Sequence, residues 1–175
     1  LFHAHADIGE VVCSNDTCRN IDAYLSKLSV EKNFSGGLLI IKDGKKIFCK
    51  GYGWANKEMK ISFSSNTLAS MGSITKAFTA SAIMKLVEER KVSVDDNLKK
   101  YFPDVPVDKS GITIHQLLTH SSGFSEFLEN DGGDYERVET TEYLKRAFEQ
   151  PLAFNPGEKA IYTNVGMSIL AIIVE

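Results

Sequence analysis

Met71-Gly72-Ser73-Ile74-Thr75-Lys76-Ala77-Phe78-Thr79-Ala80 places a serine and a lysine three residues apart at the head of an apolar run. The S-x-x-K spacing alone says little, since about one is expected by chance in a chain of this length. A second exists, Ser29-Val30-Glu31-Lys32, at the fraying end of an amphipathic segment where Lys32 can stay in water. Ser73 is in a different setting. Ile74, Ala77, Phe78, Ala80, Ala82, Ile83, Leu86 and Val87 make Ile74 to Val87 apolar nearly all round, which predicts a central buried helix. Residues three apart share a helical face, so Lys76 can point back at the Ser73 hydroxyl. Loss of hydration there favours a neutral amine able to accept a proton. At a helix start, Ser73 also sits where the dipole favours developing negative charge. These residues equally allow Ser73 to be an N-cap and Lys76 to snorkel outward.

Tyr162-Thr163-Asn164 separates the two readings. It is the only Y-x-N in the chain, and it follows the turn Asn155-Pro156-Gly157 and precedes another apolar run. A tyrosine there can relay a proton between nucleophile and leaving group, and an asparagine amide can hold a substrate peptide group. Taken singly, each residue has a plainer reading, a core tyrosine and a helix N-cap.

Working outward, Ile21, Tyr24, Leu25 and Leu28 recur at helical spacing and predict a helix from Thr17 to about Lys32, stopped by Gly36-Gly37. Leu38 to Lys42 and Lys45 to Lys50 flank Asp43-Gly44, a strong hairpin signal. Two strands do not make a stable sheet, so more strands are expected. Beyond Lys76, Val94 to Tyr101 predicts a short helix ended by Pro103. Thr113 with Gln116 forms a capping box for a helix through Leu118, with Gly123 after its end. Thr140 to Phe148 predicts a helix closed by Pro151, and Val165 to Val174 a last apolar helix. Nothing here completes the sheet. The expectation is a chain incomplete as a fold, or completed by another chain.

The composition, 43% hydrophobic and 25% charged, suits a globular domain with a core. A net charge of −3 gives no reason to expect nucleic acid or an anionic membrane as partner, and no apolar window is long enough to span a bilayer. Cys13, Cys18 and Cys49 show no zinc or C-x-x-C spacing. Cys13 and Cys18 are close enough to bridge in an exported protein, or are two incidental thiols. Ala4-His5-Ala6 has the small-x-small form of a signal-cleavage site without the apolar segment that should precede it.

The motifs together resemble the class C β-lactamases and their serine-hydrolase relatives: family VIII esterases, D-aminopeptidases and D-Ala-D-Ala carboxypeptidases. Met71 to Ala80 is similar to the family's first motif. Ile114-His115-Gln116-Leu117-Leu118-Thr119-His120-Ser121-Ser122-Gly123-Phe124 is similar to a second segment. Pro156-Gly157-Glu158 with Tyr162-Thr163-Asn164 is similar to a third. The resemblance runs in order from about Gly37 to the last residue. It implies the α/β (α+β) β-lactamase/transpeptidase-like fold. Residues 1–62 would give the helix and antiparallel hairpin of an incomplete sheet domain, and residues 63–175 an all-helical domain. It further implies Ser73 as acylated nucleophile, Lys76 as base, Tyr162 as the proton relay that also activates the deacylating water, and Asn164 as partner of substrate and of Lys76. Ser73 would give one oxyanion donor through its backbone N–H. The family's later motif, Lys or His followed by x-Gly, does not occur after Tyr162, so the second oxyanion donor would come from a strand outside the chain. The expected reaction is acyl transfer from an amide or ester to water, on a β-lactam, a D-amino-acid peptide or a short ester, with no cofactor or metal. The expected compartment is periplasmic or secreted.

Two other functions share these motifs: a penicillin-recognising sensor that acylates without turnover, and a vestigial interaction domain. The class A pattern is absent, since there is no Ser-Asp-Asn and Glu126-Phe127-Leu128-Glu129-Asn130 does not match its glutamate loop. His120 beside Ser121 and Ser122 invites a Ser-His-Asp reading, but sequence neighbours at a helix end rarely aim at each other, so it is read as structural. His3 and His5 are read as an inert tail. Glu126, Glu129, Asp131, Asp134, Glu136 and Glu139 are read as a solvated loop near the site mouth, without EF-hand spacing.

Overall fold

The computed structural model describes residues 9–129 and 137–175. His3, His5, Asp131, Asp134 and Glu136 lie outside the described residues. The chain forms two compact units, Leu1–Ser70 and Met71–Glu175.

The first unit is built on the predicted helix and hairpin. Helix α1 spans Asp16–Lys32 after strand β1, Val11–Val12. The Asn15 side chain accepts from the Cys18 N–H at 2.9 Å and so satisfies one of the orphan amides of the first turn. The helix ends at Asn33, whose left-handed backbone (φ 53°) closes it as asparagine readily does. Strands β2 (Gly36–Lys42) and β3 (Lys45–Tyr52) pair antiparallel with Lys42 opposite Lys45. The two loop residues both have positive φ, 51° at Asp43 and 71° at Gly44, the geometry that matches the strands' twist. The missing strand is β1, paired to the other edge of β3 to give the order β1-β3-β2. It is too short to show any periodicity. A disulfide joins Cys13 to Cys18 and so ties the end of β1 to the first turn of α1. Asp22 of α1 accepts from Lys50 Nζ (2.7 Å) and the Tyr52 hydroxyl (2.8 Å) of β3, and the Lys50 bond holds its carboxyl below the usual range. Cys18, Phe48 and Tyr52 form the buried centre under Ile21, Leu25, Leu38 and Ile40. A second ribbon, β4 (Trp54–Asn56) with β5 (Ile61–Ser62), was not signalled by the sequence.

The second unit is helical. A 3₁₀ turn, Gly72–Ile74, leads into α2, Thr75–Glu88. Then come α3 (Leu98–Tyr101), α4 (Val107–Ser110), α5 (Ile114–Leu118), α6 (Thr140–Glu149) and α7 (Asn164–Val174). The helix expected from Val94 shortens to the single turn of α3, because side chains capture the backbone ahead of it. Asp96 accepts from the Ser93 N–H, and Ser93 Oγ accepts from the Asp95 N–H. Asp96 also accepts from Lys100 Nζ and the Tyr101 hydroxyl, and these bonds, Lys100 foremost, hold it down to about 2. The capping box at α5 forms as predicted, Thr113 and Gln116 each receiving the other's amide.

The central buried helix is α7 rather than α2. Val165, Gly166, Met167, Ile169 and Leu170 are buried among Ile83, Leu98, Ile112, Ile114, Leu117 and Ala147. In α2 only Ile83 is fully buried, and Phe78 and Met84 stand 62% and 50% exposed. The two helices are alike in composition, and burial follows which neighbours surround them. Among the described residues no helix is long and apolar enough to cross a membrane.

Candidate active site

Gly72 has φ 52°, and an added Cβ there would meet nothing within 4 Å, so the left-handed backbone itself is what favours glycine. The bend sets Ser73 in the 3₁₀ turn that runs into α2, with Lys76 one turn on. Lys76 Nζ donates to Ser73 Oγ at 3.2 Å and to Asn164 Oδ1 at 2.5 Å. The Tyr162 hydroxyl meets Ser73 Oγ at 2.6 Å, and Lys76 Nζ lies 4.8 Å from the Tyr162 ring centroid. The four residues singled out from the sequence therefore meet at one point of the second unit, two from the start of α2 and two from the entry to α7. The expected desolvation of Lys76 is only partial. Lys76 is half-buried, Ser73 is exposed and Tyr162 is 42% exposed.

The entry to α7 is held by the segment after α5. Gly123 O accepts from Ala153 N–H, Ser121 O from Gly157 N–H and His120 O from Ile161 N–H, all within 2.8–2.9 Å. This main-chain ladder requires glycine at 123, where φ is 88° and a Cβ would fall 2.4 Å from Phe154 O. Thr163 then caps α7. Its buried Oγ1 accepts from Gly166 N–H (3.1 Å) and donates to Ser125 O (2.7 Å), while Asn164 N–H donates to Glu126 O. Tyr162 is thus fixed by bonds on either side of it.

The electrostatics follow from these contacts. The Lys76 ammonium, then the bond to Ser73, hold the Tyr162 phenol below its ordinary value, and Glu126 opposes them. His120 is held below the usual histidine range by burial and then by the Lys76 charge. Chemically, Ser73 Oγ accepts from both Lys76 Nζ and the Tyr162 hydroxyl, so either group can take the serine proton once it has lost its own. Among the described residues no cluster of three His, Cys, Asp or Glu side chains could hold a metal.

His120 is the residue that sequence reasoning passed over. In the sequence its neighbours are Ser121 and Ser122. Its ring instead lies against Tyr162, centroids 4.9 Å apart, and its Nδ1 accepts from the Thr163 N–H at 3.3 Å. Its proximity to the Y-x-N segment comes from the chain's return and left no local signal.

The chain is similar to several known proteins. The chain is 30% identical to Protein flp of Staphylococcus aureus (strain MRSA252) over 93% of its length and 34% of the relative's. It is 33% identical to a putative D-alanyl-D-alanine carboxypeptidase of Escherichia coli (strain K12) over 81% of its length and 37% of that protein's. The chain thus spans about a third of the length of these relatives. Among solved structures, the octameric penicillin-binding protein homologue from Pyrococcus abyssi superposes with a TM-score of 0.73 at 32% identity, covering 92% of this chain and 39% of the other. A class C beta-lactamase in complex with cefoxitin superposes at 0.75 with 23% identity, covering 89% and 43%, a likeness of fold alone. The beta-lactamase family profile matches residues 21–175, and the chain belongs to that family.

Proposed function

We propose that this chain carries the nucleophile, base and proton relay of a serine hydrolase that forms an acyl-enzyme on Ser73. One observation carries the reading: Ser73 Oγ lies between Lys76 Nζ and the Tyr162 hydroxyl, with Lys76 held in turn by Asn164. In the first step Lys76 gives a proton to solvent, and Ser73 Oγ then attacks the carbonyl carbon of an amide or ester while Lys76 Nζ takes the hydroxyl proton. The tetrahedral intermediate collapses with cleavage of the C–N or C–O bond, and Tyr162 passes a proton to the leaving group. Water then attacks the acyl carbon with Tyr162 receiving its proton, the bond from the acyl carbon to Ser73 Oγ breaks, and Lys76 returns its proton to Oγ. Asn164 orients Lys76 and is in place to meet a substrate amide. The family and its D-alanyl-D-alanine carboxypeptidase-like relative support a β-lactam, a D-amino-acid peptide or a short ester as substrate. The Cys13–Cys18 disulfide supports an oxidising compartment, periplasmic or extracellular.

The test is labelling of the intact protein with a fluorescent penicillin or a fluorophosphonate. Ser73→Ala abolishes labelling and Ser29→Ala preserves it. Lys76→Ala slows acylation by about 10²–10⁴-fold with the fold retained. Labelling that persists in Ser73→Ala removes the nucleophile, and an adduct that forms but never turns over identifies a sensor.

A further inference from the structure

We propose that His120 is a positioning residue for Tyr162, gripping the chain on both sides of the tyrosine and setting its phenol against Ser73 and Lys76. The inference rests on the relay role of Tyr162. The grip has three points. The His120 carbonyl accepts from the Ile161 N–H at 2.9 Å, Nδ1 accepts from the Thr163 N–H at 3.3 Å, and the ring lies 4.9 Å from the Tyr162 ring at a 36° tilt. One residue thereby engages the backbone before Tyr162, the backbone after it and the side chain between. Such a contact needs an unusual backbone, and His120 has φ 57°, with its carbonyl and its ring both engaging residues 161–163.

The contact also fixes a protonation state. Nδ1 must be unprotonated to accept the Thr163 amide, so the ring is the neutral Nε2–H tautomer. Protonation would set N–H against N–H and add a second positive charge beside Lys76. The charged and titratable groups that bear on this arrangement are Lys76 from α2, Tyr162 from the entry to α7, and Glu126 from His120's own segment, whose charge reaches the phenol. Burial and the Lys76 charge both disfavour the protonated ring, in agreement with the geometry. A displacement of Tyr162 by about 1 Å is enough to slow proton transfer about a hundredfold.

The left-handed backbone dictates the variants. His120→Gly removes the ring without strain, while His120→Asn tolerates the same φ and offers an amide oxygen in the direction of Nδ1. The intact protein is labelled with ¹³Cζ-tyrosine, the Tyr162 resonance is identified by its loss in Tyr162→Phe, and its titration is followed together with the rate of acylation by a fluorescent penicillin. In His120→Gly the phenol titration moves up toward the ordinary tyrosine range, and acylation slows by about 10- to 100-fold. In His120→Asn both return to within about threefold of the parent. An unchanged Tyr162 titration in His120→Gly overturns the proposal, and so does a His120→Asn variant as impaired as His120→Gly. If His120→Gly does not fold, acidification decides: acylation by the parent falls more steeply below about pH 6 than that of His120→Asn, and parallel profiles overturn the proposal. A parent that titrates as expected but is not acylated strikes the hydrolase reading alone, because the tyrosine titration requires no turnover.

Discussion

Helices α2 and α7 each bring two residues to the site, and they are built on opposite terms. α7 is enclosed. Its start is capped by a buried threonine, its first residue is bonded to Glu126 O, and its apolar side chains are packed on α5 and the surrounding core. α2 has no side-chain cap bond and fully buries Ile83 alone. Tyr162 and Asn164 therefore stand on a frame held by many independent bonds, while Ser73 and Lys76 stand on a helix whose outward apolar side is open in this unit. Lys76 links the two, through Asn164 across to α7 and through Ser73 along its own helix. Precision at the site is supplied from the α7 side, and α2 is the more exposed of the two.

The contrast can be broken most forcefully in the core. Ile169→Ala should cost about 3 kcal/mol of unfolding free energy, as deletion of a fully buried aliphatic side chain does. Phe78→Ala, measured by urea on the same 175 residues, should cost less than about 1 kcal/mol despite the larger side chain. Equal costs would mean that α2 is as enclosed as α7. Next in size is the cap. Thr163→Val keeps the shape but loses both Oγ1 bonds and leaves Ser125 O without that donor, which should cost about 1–2 kcal/mol and disturb the Asn164–Lys76 contact. The smallest effect is that of pH. Because the folded protein holds His120 below its ordinary 6.5, the stability it contributes is present above that value and is lost as pH falls through the folded value. The urea midpoint should fall between about pH 7.5 and 5.5 by less than the cap effect, since the ring is only half-buried. His120→Asn should flatten that slope, and an unaltered slope would remove His120 from the account.

The sequence was most informative where a local rule decides the structure. Asp43-Gly44 predicted a two-residue hairpin because both positions need positive φ, and Thr113 with Gln116 predicted a cap because the bonds close within one turn. It failed where the deciding partner is remote. β1 is two residues that become a strand only because β3 offers an edge. The apolar patterns of Ile74 to Val87 and Val165 to Val174 look alike, and nothing local says that α7 finds neighbours on most sides and α2 does not. Val94 to Asn97 lost its helix to side-chain bonds at Ser93 and Asp96 that composition alone does not reveal. At the site, Ser73, Lys76, Tyr162 and Asn164 are legible as motifs, whereas the contacts of His120 are with residues far along the chain, Tyr162 and Thr163, that its sequence neighbours do not reveal.

The ladder joining residues 120–123 to residues 153–161 consists of main-chain atoms only, a fact with evolutionary weight. Glu158, Lys159, Ala160 and Ile161 are exposed just before the tyrosine, and the Ile161 bond uses its amide rather than its side chain. A change of side chain at Ala160 or Ile161 leaves the Ile161 N–H bond to His120 O in place, and with it the support on that side of Tyr162. A scaffold of this kind separates the placing of Tyr162 from the identity of the exposed side chains before it, so those side chains can change one at a time without moving the tyrosine.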